Sequence, residues 1–452
     1  MRSDRWIDAR FGLAAQGVLG RAARNFGAVI AGQAMGTLLG FLALTLNTRA
    51  LGPEQLGVLF LVQATGEMAL AICSFQNWRM VIKFGAAAIA AGDGPGLRAI
   101  WRFGFLLDVL TAACAASAVL ALFLVAPHWV GLSETTGQLG AFYALTLGLS
   151  FSGSSIGMLR LCNRFGVVVW VEVMSAVLLC LNAAVLYWSG AGIESYLLTI
   201  PVVTAIGPVL LTLMGWLRMR RVAATLTERP DGADYAPLAM LRFAIGSSGV
   251  TTLNAFQNKG EFLIVGSLLG PAAGALFGVA YRFASVFARF AEAGRQSVYP
   301  EMGHLIASGH FDTAAHLAAR LARLAALIAV PALLLLGLFG REILTLFFGP
   351  AYAAALPNMM LISAGMAVGT VTFALEPLIQ LRWGAARFFW LNLAAFAAFV
   401  GAAVAGPLFF GEAGAGAGRL GFSVLLALLS IRLIYGRRNT RAEAASCDRG
   451  SA

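Results

Sequence analysis

Apolar runs of about 20 residues or more recur along the whole chain, and short segments carrying arginine separate them. A helix of about 20 residues is long enough to cross the roughly 30 Å hydrocarbon core of a bilayer. The chain therefore reads as an all-α polytopic membrane protein. Spans are expected at 26–48, 56–76, 103–126, 139–159, 166–188, 196–217, 243–268, 273–294, 320–340, 355–380, 388–410 and 417–436, which makes six plus six. Only 12% of the residues are charged, against roughly 25% in soluble domains.

Basic residues in short loops are retained on the cytoplasmic side. With the N-terminus inside, the even-numbered turns collect Arg79, Lys83, Arg98 and Arg102, then Arg160 and Arg164, then Arg218, Arg220, Arg221, Arg229 and Arg242. Arg295, Arg320 and Arg323 follow, with Arg382 and Arg387, while the other side keeps Arg49, Arg341 and Arg419. This alternation places both termini in the cytoplasm. It also explains the net charge of +11 better than nucleic-acid binding does, because no soluble basic domain is present to hold a duplex.

The expected organisation is a cytoplasmic amphipathic or disordered segment at 1–25, a six-helix lobe at 26–217, a linker at 218–242, a second lobe at 243–436 and a polar tail at 437–452. Asn47 to Gly57 contains the corner Leu51-Gly52-Pro53, and Leu269-Gly270-Pro271 echoes it after the linker. Both corners fall on the same expected side, so the repeat reads as two lobes related by an axis along the membrane normal.

Five cysteines show no Cys-x-x-Cys pair, so neither a disulfide framework nor a zinc site is expected. His128, His304, His310 and His316 lack metal-ligand spacing. No P-loop occurs, and no cofactor is implied. Gly416-Ala-Gly418-Arg-Leu-Gly421 matches a dinucleotide fingerprint by letter but joins two membrane spans, so it reads as a flexible turn.

Ionisable groups inside spans are costly and face a partner or a hydrated cavity. In span seven, Ser247, Thr251, Asn254, Asn258 and Glu261 share one helix face, and Lys259 lies about 100° round from Asn258. Lys259 and Glu261, two residues apart, cannot meet and each needs another partner. Gln63 and Glu67 line a face of span two, Arg282, Arg289 and Glu292 a face of span eight, and Glu376 precedes Pro377 in span ten. An interhelical salt bridge or a snorkelling side chain is the expectation for Arg289, Arg295 and Asp108. For Lys259, Arg282 and Glu67, pairing and cavity lining both stand. Gly32, Gly36 and Gly40 place small residues on one face of span one for close helix packing.

Arg49-Ala-Leu-Gly-Pro-Glu-Gln-Leu-Gly57 after the first span, with Ile343-Leu-Thr-Leu-Phe-Phe-Gly-Pro-Ala-Tyr352 after the ninth, resembles the polysaccharide-biosynthesis flippases, relatives of the MATE drug exporters. The resemblance implies a V-shaped two-lobed transporter of the bacterial inner membrane. It also implies transfer of an undecaprenyl-diphosphate-linked oligosaccharide by alternating access for O-antigen, capsule or exopolysaccharide. Membrane lipids and a polysaccharide polymerase or other assembly proteins are the expected partners. A cationic cavity suits a diphosphate, and Arg49, Lys83, Lys259 and Arg282 are the candidate cations. Only Arg49 falls on a family motif. Asn254, Asn258 and Gln63 are candidates for the sugar hydroxyls, as is Gln257, with Trp78 and Tyr281 available for stacking.

The alternative is a cation-coupled multidrug antiporter, with Glu67, Glu261 or Glu376 as its ion site. A membrane polymerase or acyltransferase ranks third, because the outer loops are short.

Overall fold

The computed structural model describes residues 15–226, 235–246, 248, 253 and 255–449, excluding the side chains of 15–30, 435–449 and a few positions between. Every helix or strand element among them is helical. In chain order these are α1 (Ala15–Cys73), α2 (Asn77–Ala90), α3 (Gly94–Val125), α4 (Glu134–Leu147), α5 (Gly153–Leu161), α6 (Phe165–Ser189), α7 (Ile193–Ala223) and α8 (Pro237–Gly246). Then come α9 (Glu261–Leu269), α10 (Pro271–Ala307), α11 (Phe311–Phe348), α12 (Leu356–Val371), α13 (Leu375–Trp383), α14 (Ala385–Phe410) and α15 (Ala417–Arg449).

Nine helical stretches among the described residues are long and apolar enough to cross a membrane, the first being Ala31–Ala90. That stretch holds the first two expected spans, since two helices meet inside α1 at Gly52. The two spans still outstanding are the fourth, built from short pieces, and the seventh, of which only parts lie among the described residues. Span four breaks between α4 and α5, where Gly148, Ser150 and Ser152 disfavour helix. Of span seven, the described residues include the end of α8, a π-helical turn at Phe256–Gly260 and α9. Span ten divides before Pro377, whose missing N–H falls in the first turn of α13. Leu327, Ile328, Leu334, Leu335 and Leu338 on α11 are exposed, as are Trp188, Phe409 and Phe410, and acyl chains would cover such surface.

The corner glycines explain how the helices stop. Gly52 has φ 69° and ψ 177°, and Gly270 has φ 93° and ψ 169°. Gly349, before Pro350, repeats the conformation at φ 105° and ψ 165°. This region of backbone space is open essentially to glycine alone, and the proline that follows starts the next helix.

The chain forms two compact units. One comprises Met1–Ala50, Ala69–Ala126 and Gly137–Gly249; the other comprises Leu51–Met68, Pro127–Thr136 and Val250–Ala452. The first is built on Met80, Val81, Leu97, Ile100, Trp101 and Met158. Its buried Asp108 accepts hydrogen bonds from Asn77 Nδ2 at 2.7 Å and from the Ser154 backbone N–H at 2.6 Å. Asp108 therefore caps the start of α5, where the helix dipole favours a negative charge. Gly32 packs against Val169, where a Cβ would collide, whereas Gly36 faces open space.

The second unit centres on Met302, Leu375, Leu378, Ile379, Phe388 and Ile434. In it, Gly57, Leu61 and Met68 lie along one face of α1, with Phe60 beside them. Leu61 meets Gly266, Met68 approaches Gly260, and Phe60 sits edge-on to Phe262 at 5.9 Å.

Candidate polar site in the second unit

The π-helical turn at Phe256–Gly260 sets three consecutive polar residues in different directions. Such wide turns interrupt the α-helical hydrogen-bond ladder and often mark functional positions. Lys259 forms an ion pair with Glu67, both side chains remaining near 40% exposed. Asn258 Oδ1 accepts from the Tyr281 hydroxyl at 3.0 Å and from Arg419 Nη2 at 2.7 Å. Gln257, next in line, is buried, and its backbone carbonyl accepts from the same Arg419 nitrogen at 3.2 Å. The Arg419 guanidinium also lies 5.7 Å from the Tyr281 ring centre, within the range of a cation–π contact.

Glu261, one turn on, is fully buried and accepts the Arg419 backbone N–H at 2.8 Å. The absence of a side chain at Gly418 makes room for its carboxylate. Lys259 and Glu261 thus find separate partners, Glu67 and α15. Arg282 interacts electrostatically with Glu67 and with Arg289. Gln63 is half-buried one turn before Glu67. Lys259, Glu67 and Arg282 thereby form one charged group and Asn258 and Glu261 a second, joined through Arg419, within the same unit, and Asn254 lies outside the described residues.

Glu376 belongs to a second cluster in the same unit. Its carboxylate takes Arg295 Nη1 at 2.6 Å and Gln380 Nε2 at 3.1 Å, and Arg295 pairs with Glu292 as well. Burial works against the Arg295 charge, but Glu376 and Glu292 outweigh it and raise the guanidinium above its ordinary value. Arg295 is thus in structural pairs.

Arg49 and Lys83 lie in the first unit, both exposed. The Lys83 ammonium sits 4.1 Å from the Phe243 ring centre and 5.4 Å from that of Phe84. Trp78 is flanked by Arg160 at 4.8 Å and Arg79 at 5.1 Å, and its indole N–H donates to Gln76 Oε1 at 2.6 Å.

Sequence reasoning missed Arg419, which had been counted with loop cations. It is 8% exposed and joins Gln257, Asn258, Tyr281 and Glu261. The run beginning at Gly416 is not a loose turn: Gly416 is buried and donates its N–H to Asn358 Oδ1 at 3.1 Å. The available signal was the pair of glycines just before a lone arginine at the start of an apolar run. Glycines there permit close approach of another helix.

The chain folds as a polytopic membrane protein of the MATE type. An inward-facing multidrug resistance MATE transporter superposes with a TM-score of 0.70 at 15% identity, over 91% of this chain and 99% of that one. The lipid II flippase MurJ, in an inward closed conformation, gives 0.66 at 12% identity over 90% and 87%. In sequence, the chain is 24% identical to the inner membrane protein YghQ of Escherichia coli K12 over 297 residues, 64% of this chain and 82% of that protein. No family profile matches.

Proposed function

We propose that the protein is a transporter of the inner membrane. Its cargo on this reading is an undecaprenyl-diphosphate-linked oligosaccharide, carried by alternating access for surface polysaccharide assembly. The observation that carries the reading is the set of polar groups at and around the Phe256–Gly260 turn, the Glu67–Lys259 ion pair and the hydrogen-bonded group of Asn258, Tyr281 and Arg419, built on otherwise apolar helices. A diphosphate and its sugars need such groups in place of lost water, while a prenyl chain needs only lipid. The fold shared with a lipid II flippase supports a lipid-linked cargo. Arg49, Lys83, Lys259 and Arg282 remain our candidates for the diphosphate.

The higher TM-score with a multidrug transporter favours the cation-coupled antiporter as the second reading. Against it, Glu67 and Glu376 are each tied to a basic side chain and Glu261 to a backbone N–H. The experiment is a gene deletion in a strain without a second exporter. Lipid-linked repeat units should accumulate on the cytoplasmic side while surface polysaccharide falls. Unchanged polysaccharide together with lost drug resistance would select the antiporter.

A further inference from the structure

In the first unit, the antiparallel pair of α6 and α7 ends in a group of arginines. Gly207 on α7 lies against Ser175 and Val171 on α6, and Leu210, Leu211 and Met214 pack with Val167 and Val168. One more turn along α7 brings Arg218 level with Arg164, at the start of α6. Arg221 follows Arg218 on the same helix face. Cys162, in the turn before α6, interacts with both Arg218 and Arg164. Arg164 and Arg221 are exposed, and Arg218 is half-buried.

Guanidinium groups gathered in this way repel one another, and the acids around them are committed elsewhere. Between Gly153 and Ala223 the sequence holds two, Glu172, which interacts with Arg160, and Glu194, at the opposite end of α7. Asp93, whose neighbour Gly94 lies against the end of α7, is buried and accepts the Gly96 N–H at 2.7 Å. Among the described residues, no carboxylate pairs with Arg164, Arg218 or Arg221. The same two helices turn an apolar surface outward, where Trp170, Leu213, Trp216 and Leu217 are exposed. The Arg220 guanidinium lies 4.8 Å from the Trp216 ring centre, and tryptophan near a helix end suits the headgroup level of a bilayer.

We infer that Arg164, Arg218 and Arg221 bind the phosphate of an anionic phospholipid whose acyl chains lie against Leu213, Leu217 and Trp170. Guanidinium groups match phosphate oxygens in geometry as well as charge, and basic sites between helix ends take such headgroups. A soluble anion would satisfy the arginines alone. The exposed apolar side chains that continue the site call for a ligand with chains. On the orientation expected from the loop arginines, this lipid belongs to the cytoplasmic leaflet. The inference does not rest on the proposed cargo.

The test uses the full chain purified in detergent and offered equal amounts of phosphatidylglycerol and phosphatidylethanolamine. Native mass spectrometry should show phosphatidylglycerol retained in preference. Replacing the three arginines together, as Arg164→Gln, Arg218→Gln and Arg221→Gln, should weaken that retention about tenfold or more. Arg320→Gln, Arg323→Gln and Arg387→Gln together remove equal charge from the second unit and should leave it unchanged. Glycerol phosphate, a headgroup without chains, should compete poorly. Should the first triple variant fail to fold, Arg164→Gln with Arg221→Gln, both at exposed positions, carries the result. Equal retention of the two lipids, equal losses in the two triple variants, or effective competition by glycerol phosphate would overturn the inference.

Discussion

Gly57 rests directly on the backbone of Pro271, so that a Cβ at Gly57 would fall inside the Pro271 carbonyl. The helix that leaves the first Leu-Gly-Pro corner thus packs on the proline of the second. Two stretches far apart in sequence meet there, and glycine is what allows it. Gly57→Ala should destabilise the protein by about 1–3 kcal/mol, the usual cost of overpacking. Gly36→Ala, with open space in front of it, should be neutral or slightly stabilising. Unfolding midpoints of the two variants in one detergent make the comparison, and equal effects would refute the packing account.

The corners themselves test backbone strain without packing. Nothing lies within 4 Å of a Cβ built on Gly52 or Gly270. Any cost of Gly52→Ala or Gly270→Ala must therefore come from their positive φ, and should amount to about 1–3 kcal/mol each. Because the two backbones are so alike, the two losses should be similar in size. A large loss at one and none at the other would separate the corners physically.

These corners show what the sequence made legible and what it hid. Gly-Pro between apolar runs announces a helix stop, and the structure has one at residue 52 and another at residue 270. Spacing along one helix also foretold that Lys259 and Glu261 diverge, because a step of two residues turns the helix through about 200°. Partners on other helices were not legible. Arg419 looked like a loop residue because counting charges at span ends says nothing about depth. The π-helical turn was hidden too, since Phe-Gln-Asn-Lys-Gly carries no signal for a wider hydrogen-bond ring. Asp108 was assigned to ion pairing or snorkelling, yet its partners are an amide and a backbone N–H. A carboxylate reads alike in sequence whether it meets a cation or a helix start.

Removing the acceptor at Asp108 should expose that role. Asp108→Ala leaves the Ser154 N–H and the Asn77 amide without it in a buried setting, at a cost of about 1–3 kcal/mol. Asp108→Glu, longer by one methylene in a site closed by Gly153, should restore little. Thermal unfolding reads the effect; a variant as stable as the parent would show that α5 starts without this cap.

The Glu67–Lys259 pair makes the opposite prediction. Both side chains remain near 40% exposed, and ion pairs so exposed contribute about 0–1 kcal/mol. Glu67→Gln should therefore barely change the unfolding midpoint. If Lys259 serves the cargo, Lys259→Gln should reduce transport several-fold while Glu67→Gln does not, because removing the acid leaves the cation in place. Equal losses in both variants would make the pair itself the functional element.

Glu261 distinguishes the two transport readings most directly. Its Oε1 accepts the Arg419 N–H at 2.8 Å within a fully buried site. An amide oxygen fills the same role, so Glu261→Gln should fold and transport as the parent does. Glu261→Ala leaves that N–H unpaired and opens a void, and it should lose about 2–4 kcal/mol. A carboxylate that exchanges protons or sodium ions behaves differently, because glutamine can carry neither. Transport in proteoliposomes, measured beside the unfolding midpoint, separates the cases: a stable but inactive Glu261→Gln would move the conclusion to a cation-coupled antiporter.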